Sequence, residues 1–83
     1  MKVIVTAEDI SEGIPESSLL CPIALALHRL SGWENARVYE KGILKNRRLL
    51  WAWILPMPIE ARRFVAQFDL GLHVEPFEFE LKL

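Results

Sequence analysis

The chain reads as an α+β domain in which helices pack on one face of a small, four-stranded, mostly antiparallel sheet. Three observations predict this. β-branched residues alternate at Lys2–Val5, and phenylalanine and leucine alternate with charge from Val74 to Leu83. Two stretches between them have helical spacing, at Leu19–Leu30 and from Pro58 onward. An unbroken apolar run, Leu49–Leu55, has the length of a buried strand and is too short to span a membrane. The predicted order is β-α-α-β-β-α-β, with residues 1–83 forming one domain and no linker, repeat or low-complexity segment.

In the first strand Val3 and Val5 share one face and Ile4 takes the other, because side chains alternate along a strand. Thr6-Ala7-Glu8-Asp9 then resembles a capping box with Asp in the place of Glu or Gln, opening a brief helix that ends at Gly13. Ile14–Ser18 is a loop around Pro15. The second helix starts near Pro22, where the missing N–H costs nothing, and presents Leu20, Ile23, Ala24, Leu27 and Leu30 on one face. Leu25 and Ala26 extend that apolar surface, which predicts the most buried helix of the chain. Gly13-Ile14, Gly32-Trp33 and Gly71-Leu72 share a glycine-then-apolar ending expected of a left-handed helix cap.

Ala36–Glu40 predicts the second strand, with Val38 inward and Arg37 and Tyr39 outward, or the reverse if the sheet is covered on both sides. Gly42 marks a bulge or turn and Lys45-Asn46 a turn, leading to a third strand over Arg48–Leu55 that forms a hairpin with the second. Leu49, Trp51 and Trp53 fall on one face of this central strand, and Leu50, Ala52 and Ile54 on the other. Pro56-Met57-Pro58 ends it. The third helix sets a stripe of Ala61, Phe64, Val65 and Phe68 opposite Glu60, Arg62, Arg63 and Gln67. In the last strand Phe77, Phe79, Leu81 and Leu83 face the core, and Glu78, Glu80 and Lys82 face water.

An apolar fraction of 52% and a mean hydropathy of +0.20 are high for so short a chain, whose large surface demands polar residues. The excess favours a homo-oligomer. Ten basic and eleven acidic residues, for a formal charge of −1, argue against a general grip on nucleic acid or anionic membrane. Cys21 has no second cysteine to pair with, and Met-Lys-Val-Ile-Val-Thr lacks the apolar core of a signal peptide, so a cytoplasmic protein is expected.

Cys21 lies near a helix start, where a thiolate is favoured, but a small buried side chain is the simpler reading. His28 and His73 sit at helix ends where a proton is favoured, and without cysteines or carboxylates at ligand spacing they make a poor metal set. Glu75, Glu78 and Glu80 read as a solvated face. With no nucleophile elbow, P-loop or dinucleotide fingerprint, neither a catalytic residue nor a metal or cofactor is assigned. Two basic clusters are more suggestive: Lys45, Arg47 and Arg48 in the hairpin turn, and Arg62 and Arg63 on the exposed side of the third helix. Arginine forks bind phosphate, and Tyr39 or a tryptophan can stack on a base. The competing reading is a solvated face with ion pairs to Glu40, Glu60 or Glu75. Trp51 and Trp53 are either core or an interface.

Val5–Ile10 with Gly13, Cys21–Leu27, Ala61–Val65 through Phe68-Asp69 and Gly71, and Val74–Phe79 together resemble a group of small proteins carried by bacteriophages and some bacteria. The resemblance implies phage or prophage origin, hence the host cytoplasm, and brings no activity or catalytic residue. Members of that group often have another Cys shortly before the Cys-Pro pair, where this chain has Ser17 and Ser18. The leading expectation is a non-enzymatic, oligomeric phage accessory protein of counter-defence type that sequesters a nucleotide signal. Arg47, Arg48, Arg62 and Arg63 hold its phosphate and Tyr39 or a tryptophan meets the base. The alternative is an interaction module that inhibits a host protein through the Trp51 and Trp53 face.

Overall fold

The computed structural model describes residues 1–46 and 54–83. Along them run β1 (Lys2–Val5), α1 (Ala7–Glu12), α2 (Pro22–His28), β2 (Arg37–Tyr39), β3 (Gly42–Leu44), α3 (Ile59–Asp69) and β4 (Phe77–Glu80). The α+β class stands, but among the described residues the strands do not form one four-stranded sheet. β1 pairs antiparallel with β4, and β2 pairs antiparallel with β3, as two separate two-stranded sheets.

The division follows from where the chain turns. Tyr39 pairs with Gly42 across Glu40-Lys41, so the hairpin closes through two residues and the segment predicted as a turn is itself the third strand. Most of the predicted strand Arg48–Leu55 lies outside the described residues. Its last residue, Leu55, forms an antiparallel bridge to Ile43, with both N–H···O bonds at 2.8 Å, on the edge of β3 that β2 leaves open. Gly42 adopts a positive φ of 150°, and a Cβ there would overlap the Leu55 carbonyl. Only glycine lets the strands approach so closely.

The helices do not share one face of one sheet. α2 packs against β1 of one sheet, against β2 of the other, and against α1. Its apolar surface explains this, since Pro22, Ile23, Ala24, Ala26 and Leu27 are all buried. Leu20, predicted on the same face, is exposed, because the helix begins at Pro22 and Leu20 belongs to the loop before it.

At the first strand the expected alternation holds: Val3 and Val5 are buried and Ile4 is exposed. The register pairs Val3 with Phe79 and Val5 with Phe77, so both strands turn their apolar residues to one side. Phe77 continues a row of stacked rings, 4.7 Å from Phe64 and 5.6 Å from Phe79, that couples α3 to β4. Leu81 is buried as predicted, whereas Leu83, two residues beyond, is exposed; β4 ends at Glu80, so the alternation no longer aims Leu83 at the core.

Of the glycine-ended helices, α3 fulfils the expected geometry. Gly71 has a φ of 76°, its N–H donates to the Phe68 carbonyl at 3.0 Å, and the Leu72 N–H donates to that of Gln67 at 2.9 Å, a Schellman ending. Gly32 also has positive φ, and the Trp33 N–H bonds back to Leu30. Gly13 does not: its backbone is extended. Glycine is needed there because a Cβ would come within 2.6 Å of the Pro22 ring.

Candidate functional site

A groove of about 840 Å³ opens beside α3. One wall is the helix. Ile59, Arg62, Arg63, Ala66 and Leu70 recur at three- and four-residue intervals along it, a second stripe beside the core-facing Ala61 and Phe64. The other wall is Glu16, Ser17 and Ser18 followed by Val38, Tyr39 and Glu40 of β2 and its turn. Buried Cys21 and Met57 contribute apolar lining.

Hydrogen bonds fix how the walls face each other. The Ser18 carbonyl accepts the Val38 N–H at 2.7 Å, joining the loop to β2. The Asp69 Oδ1 accepts the Glu16 N–H at 2.9 Å, joining the same loop to the last turn of α3. Glu16 has a φ of 60°, a left-handed conformation rare for a residue with a side chain, and the Asp69 bond secures it. Within the loop Ser17 Oγ accepts the Leu20 N–H at 3.0 Å, and the Ser17 carbonyl accepts that of Cys21 at 3.2 Å. Ser17 thus acts as a turn residue.

Charge in the groove is of both signs: Arg62 and Arg63 against Glu16, Glu40 and Asp69. Ion pairs from the arginines to Glu40, Glu60 or Glu75 were the competing reading of that cluster. Among the described residues neither Arg62 nor Arg63 forms an ion pair or a hydrogen bond, and Glu75 is instead 2.7 Å from His73. Two guanidinium groups therefore stand on one wall with their donors unspent.

The structure brings Arg62, Arg63 and Tyr39 to one groove. Arg47, Arg48, Trp51 and Trp53 lie outside the described residues. Lys45, grouped with the first two by sequence, sits 5.3 Å from the centroid of the Trp33 ring. Sequence reading missed Glu16, Asp69, Ile59 and Leu70 as groove residues. The stripe Ile59–Arg62/Arg63–Ala66–Leu70 was a detectable signal, overlooked because the more apolar stripe beside it drew the assignment. Nothing in the sequence foretells that Glu16 meets Asp69.

Cys21 is no poised nucleophile. It is buried, and desolvation pushes its thiol up despite backbone N–H groups of Ile23 and Ala24 that pull the other way. His28 donates from Nε2 to the Ala36 carbonyl at 2.9 Å, tying α2 to the entry of β2. Among the described residues no cluster of three or more His, Cys, Asp or Glu is arranged to hold a metal, and no helix is long and apolar enough to cross a membrane. Comparison with family models, curated proteins and solved structures returns no match for the chain.

Proposed function

We propose that the protein is a non-enzymatic binder of a small phosphate-bearing ligand, a nucleotide, held in the groove beside α3. The observation that carries this is the pair Arg62 and Arg63, side by side on one wall and without an ion pair among the described residues. Guanidinium donors in a fork match phosphate oxygens. Tyr39 adds an aromatic surface for a base. The volume of about 840 Å³ lies within the range of roughly 300–1,000 Å³ usual for small-ligand sites. An overall charge of −1 disfavours an extended nucleic acid, whose binding scales with the number of phosphates neutralised.

Sequestration of a nucleotide signal by a phage accessory protein is the role that the resemblance to small phage and prophage proteins suggests for such a site. Self-association is the companion proposal for the apolar surplus, and molecular mass by light scattering tests it separately.

Calorimetric titration with cyclic and linear nucleotides tests the ligand. Binding of at least one nucleotide is expected, with each of Arg62→Ala and Arg63→Ala weakening it about tenfold or more, the order of one charge-assisted hydrogen bond. No heat and no thermal shift across the panel would refute the reading. The alternative of a protein-inhibiting module predicts no nucleotide response and a loss of host-protein inhibition on replacing Trp51 and Trp53.

A further inference from the structure

If the groove takes a nucleotide, its second set of charges has a use that the phosphate does not exhaust. On α3, Arg62 and Arg63 precede Asp69 by seven and six residues, about 9–11 Å along the axis at 1.5 Å per residue. Asp69 holds the Glu16 backbone N–H, so the Glu16 backbone is anchored to that same far end, and Glu16 lines the groove there. The groove is therefore bipolar lengthwise, with guanidinium donors at one station and carboxylate acceptors a nucleoside's length away. Among the described residues the Glu16 carboxylate accepts no hydrogen bond, and Asp69 Oδ2 accepts none, leaving acceptors open to the groove. Both are carboxylates, acceptor-only when ionised.

We propose, on the premise of nucleotide binding, that this end reads the base and selects guanine. A carboxylate accepts two parallel hydrogen bonds best from adjacent N–H donors on one edge, and guanine presents N1–H beside its N2 amino group. Hypoxanthine keeps N1–H and loses the amino group. Adenine offers one amino group beside an unprotonated ring nitrogen, which a carboxylate repels. Uracil presents a single N–H between two carbonyls. With the phosphate on Arg62 and Arg63, the base edge falls at Glu16 and Asp69, and Tyr39 lines the groove from the opposite wall. Asp69 is half-buried, so an unmatched base there leaves an acceptor that water reaches poorly without a partner, while exposed Glu16 adds a second acceptor at the rim.

The test is the dissociation constant of GMP, IMP and AMP, measured by calorimetry on the full chain, together with Glu16→Gln and Asp69→Asn. Asp69→Asn keeps an oxygen for the Glu16 N–H while removing the charge, and Glu16 is exposed, so both variants are expected to melt with the parent. GMP should bind about tenfold more tightly than IMP and more tightly still than AMP, as expected from loss of one or two hydrogen bonds to a charged group. The two variants should lower GMP affinity by a similar factor and not lower AMP affinity, since the repulsion of the adenine ring nitrogen is relieved. Equal affinities for GMP, IMP and AMP, with Arg62→Ala still weakening all three, would overturn base selection and leave phosphate binding intact. Binding of none of them would overturn guanine selection, and silence across the wider panel of cyclic and linear nucleotides would overturn nucleotide binding itself.

Discussion

Removing Arg29 probes what holds the first third of the chain together. Asp9 is 3% exposed, a charged side chain inside the fold. Its Oδ2 accepts the Thr6 N–H at 2.9 Å while Thr6 Oγ1 accepts the Asp9 N–H at 3.2 Å, completing the capping box of α1. The Arg29 guanidinium, arriving from the end of α2, grips both oxygens as a fork, with Nη2–Oδ2 at 2.8 Å, and donates also to the Ile4 carbonyl at 3.1 Å. One side chain thus ties α1, α2 and β1. In Arg29→Met the carboxylate keeps Thr6 but loses its fork. Breaking a fully buried pair costs about 3–5 kcal/mol. The Arg29 side chain is 50% exposed, and solvent screening reduces that to about 2–3 kcal/mol. For a domain of this size the melting temperature should fall by on the order of 10–20 °C.

The same pair sets a pH dependence whose sign is fixed. Burial alone raises the pKa of Asp9, but the Arg29 fork and the Thr6 N–H outweigh it and hold the carboxyl below its ordinary value. A carboxyl with a lowered folded-state pKa contributes stability that is present above its unfolded value, about 3.9, and is lost as pH falls through the folded one. Urea denaturation of parent and Arg29→Met, followed by circular dichroism from pH 7 downward, should show a constant gap above about pH 5 that narrows below about pH 4. Arg29→Lys, which restores charge but not the fork, should recover only part of the gap. A gap that persists unchanged into strong acid, or a variant as stable as the parent at pH 7, would refute the account.

Gly42→Ala should disrupt the β3 contact with Leu55, because the added Cβ overlaps the Leu55 carbonyl and the φ of 150° suits glycine alone; a loss of about 2 kcal/mol or more in chemical denaturation is expected, and a neutral substitution would show the close approach to be wrong. Cys21 should alkylate at pH 7 more slowly than a free cysteine and accelerate on adding denaturant, since desolvation raises its thiol pKa and the side chain is buried; rapid labelling of the folded chain would contradict both. Phe64→Ala should cost about 3–5 kcal/mol and loosen β4 together with α3, because Phe64 stacks on Phe77 and on Phe68, 6.2 Å away, and hydrogen exchange should show protection falling in both elements.

Local chemistry was the legible part of the fold. Thr6 with Asp9, Pro22 at the first turn of α2 and Gly71 after α3 all act over three to five residues, and each appears where the sequence put it. Alternation gave the correct faces of β1 for the same reason, and of the two facings open for Val38 the structure takes the inward one. Pairing between distant segments was not legible. The run Leu49–Leu55, read as a central strand because it is long and apolar, lies mostly outside the described residues, and β3 is Gly42–Leu44, a short segment whose glycine suggested a turn. Its glycine is there for proximity to another strand, and that need comes from tertiary packing. The buried Asp9–Arg29 pair was invisible likewise, since twenty residues of unrelated pattern separate its members. At the groove, the sequence yielded Arg62, Arg63 and Tyr39 as candidates, whereas their convergence depends on the Ser18–Val38 and Glu16–Asp69 hydrogen bonds.

Those two bonds also explain why the fold leaves a groove. α3 spends its most apolar stripe on the phenylalanines of β4, so its neighbouring stripe of Ile59, Arg62, Arg63, Ala66 and Leu70 has no sheet to rest on. Nor does that stripe close on β2, which lines the opposite wall of the groove. Instead Gly13 closes on Pro22, the loop turns at Glu16, and its residues stand between helix and strand, bonded to one at Asp69 and to the other at Val38. The opening is thus held by backbone hydrogen bonds to both walls. A groove whose walls are fixed in this way needs little reorganisation to take a ligand, which is the condition that the proposed discrimination among nucleotides of nearly the same shape requires.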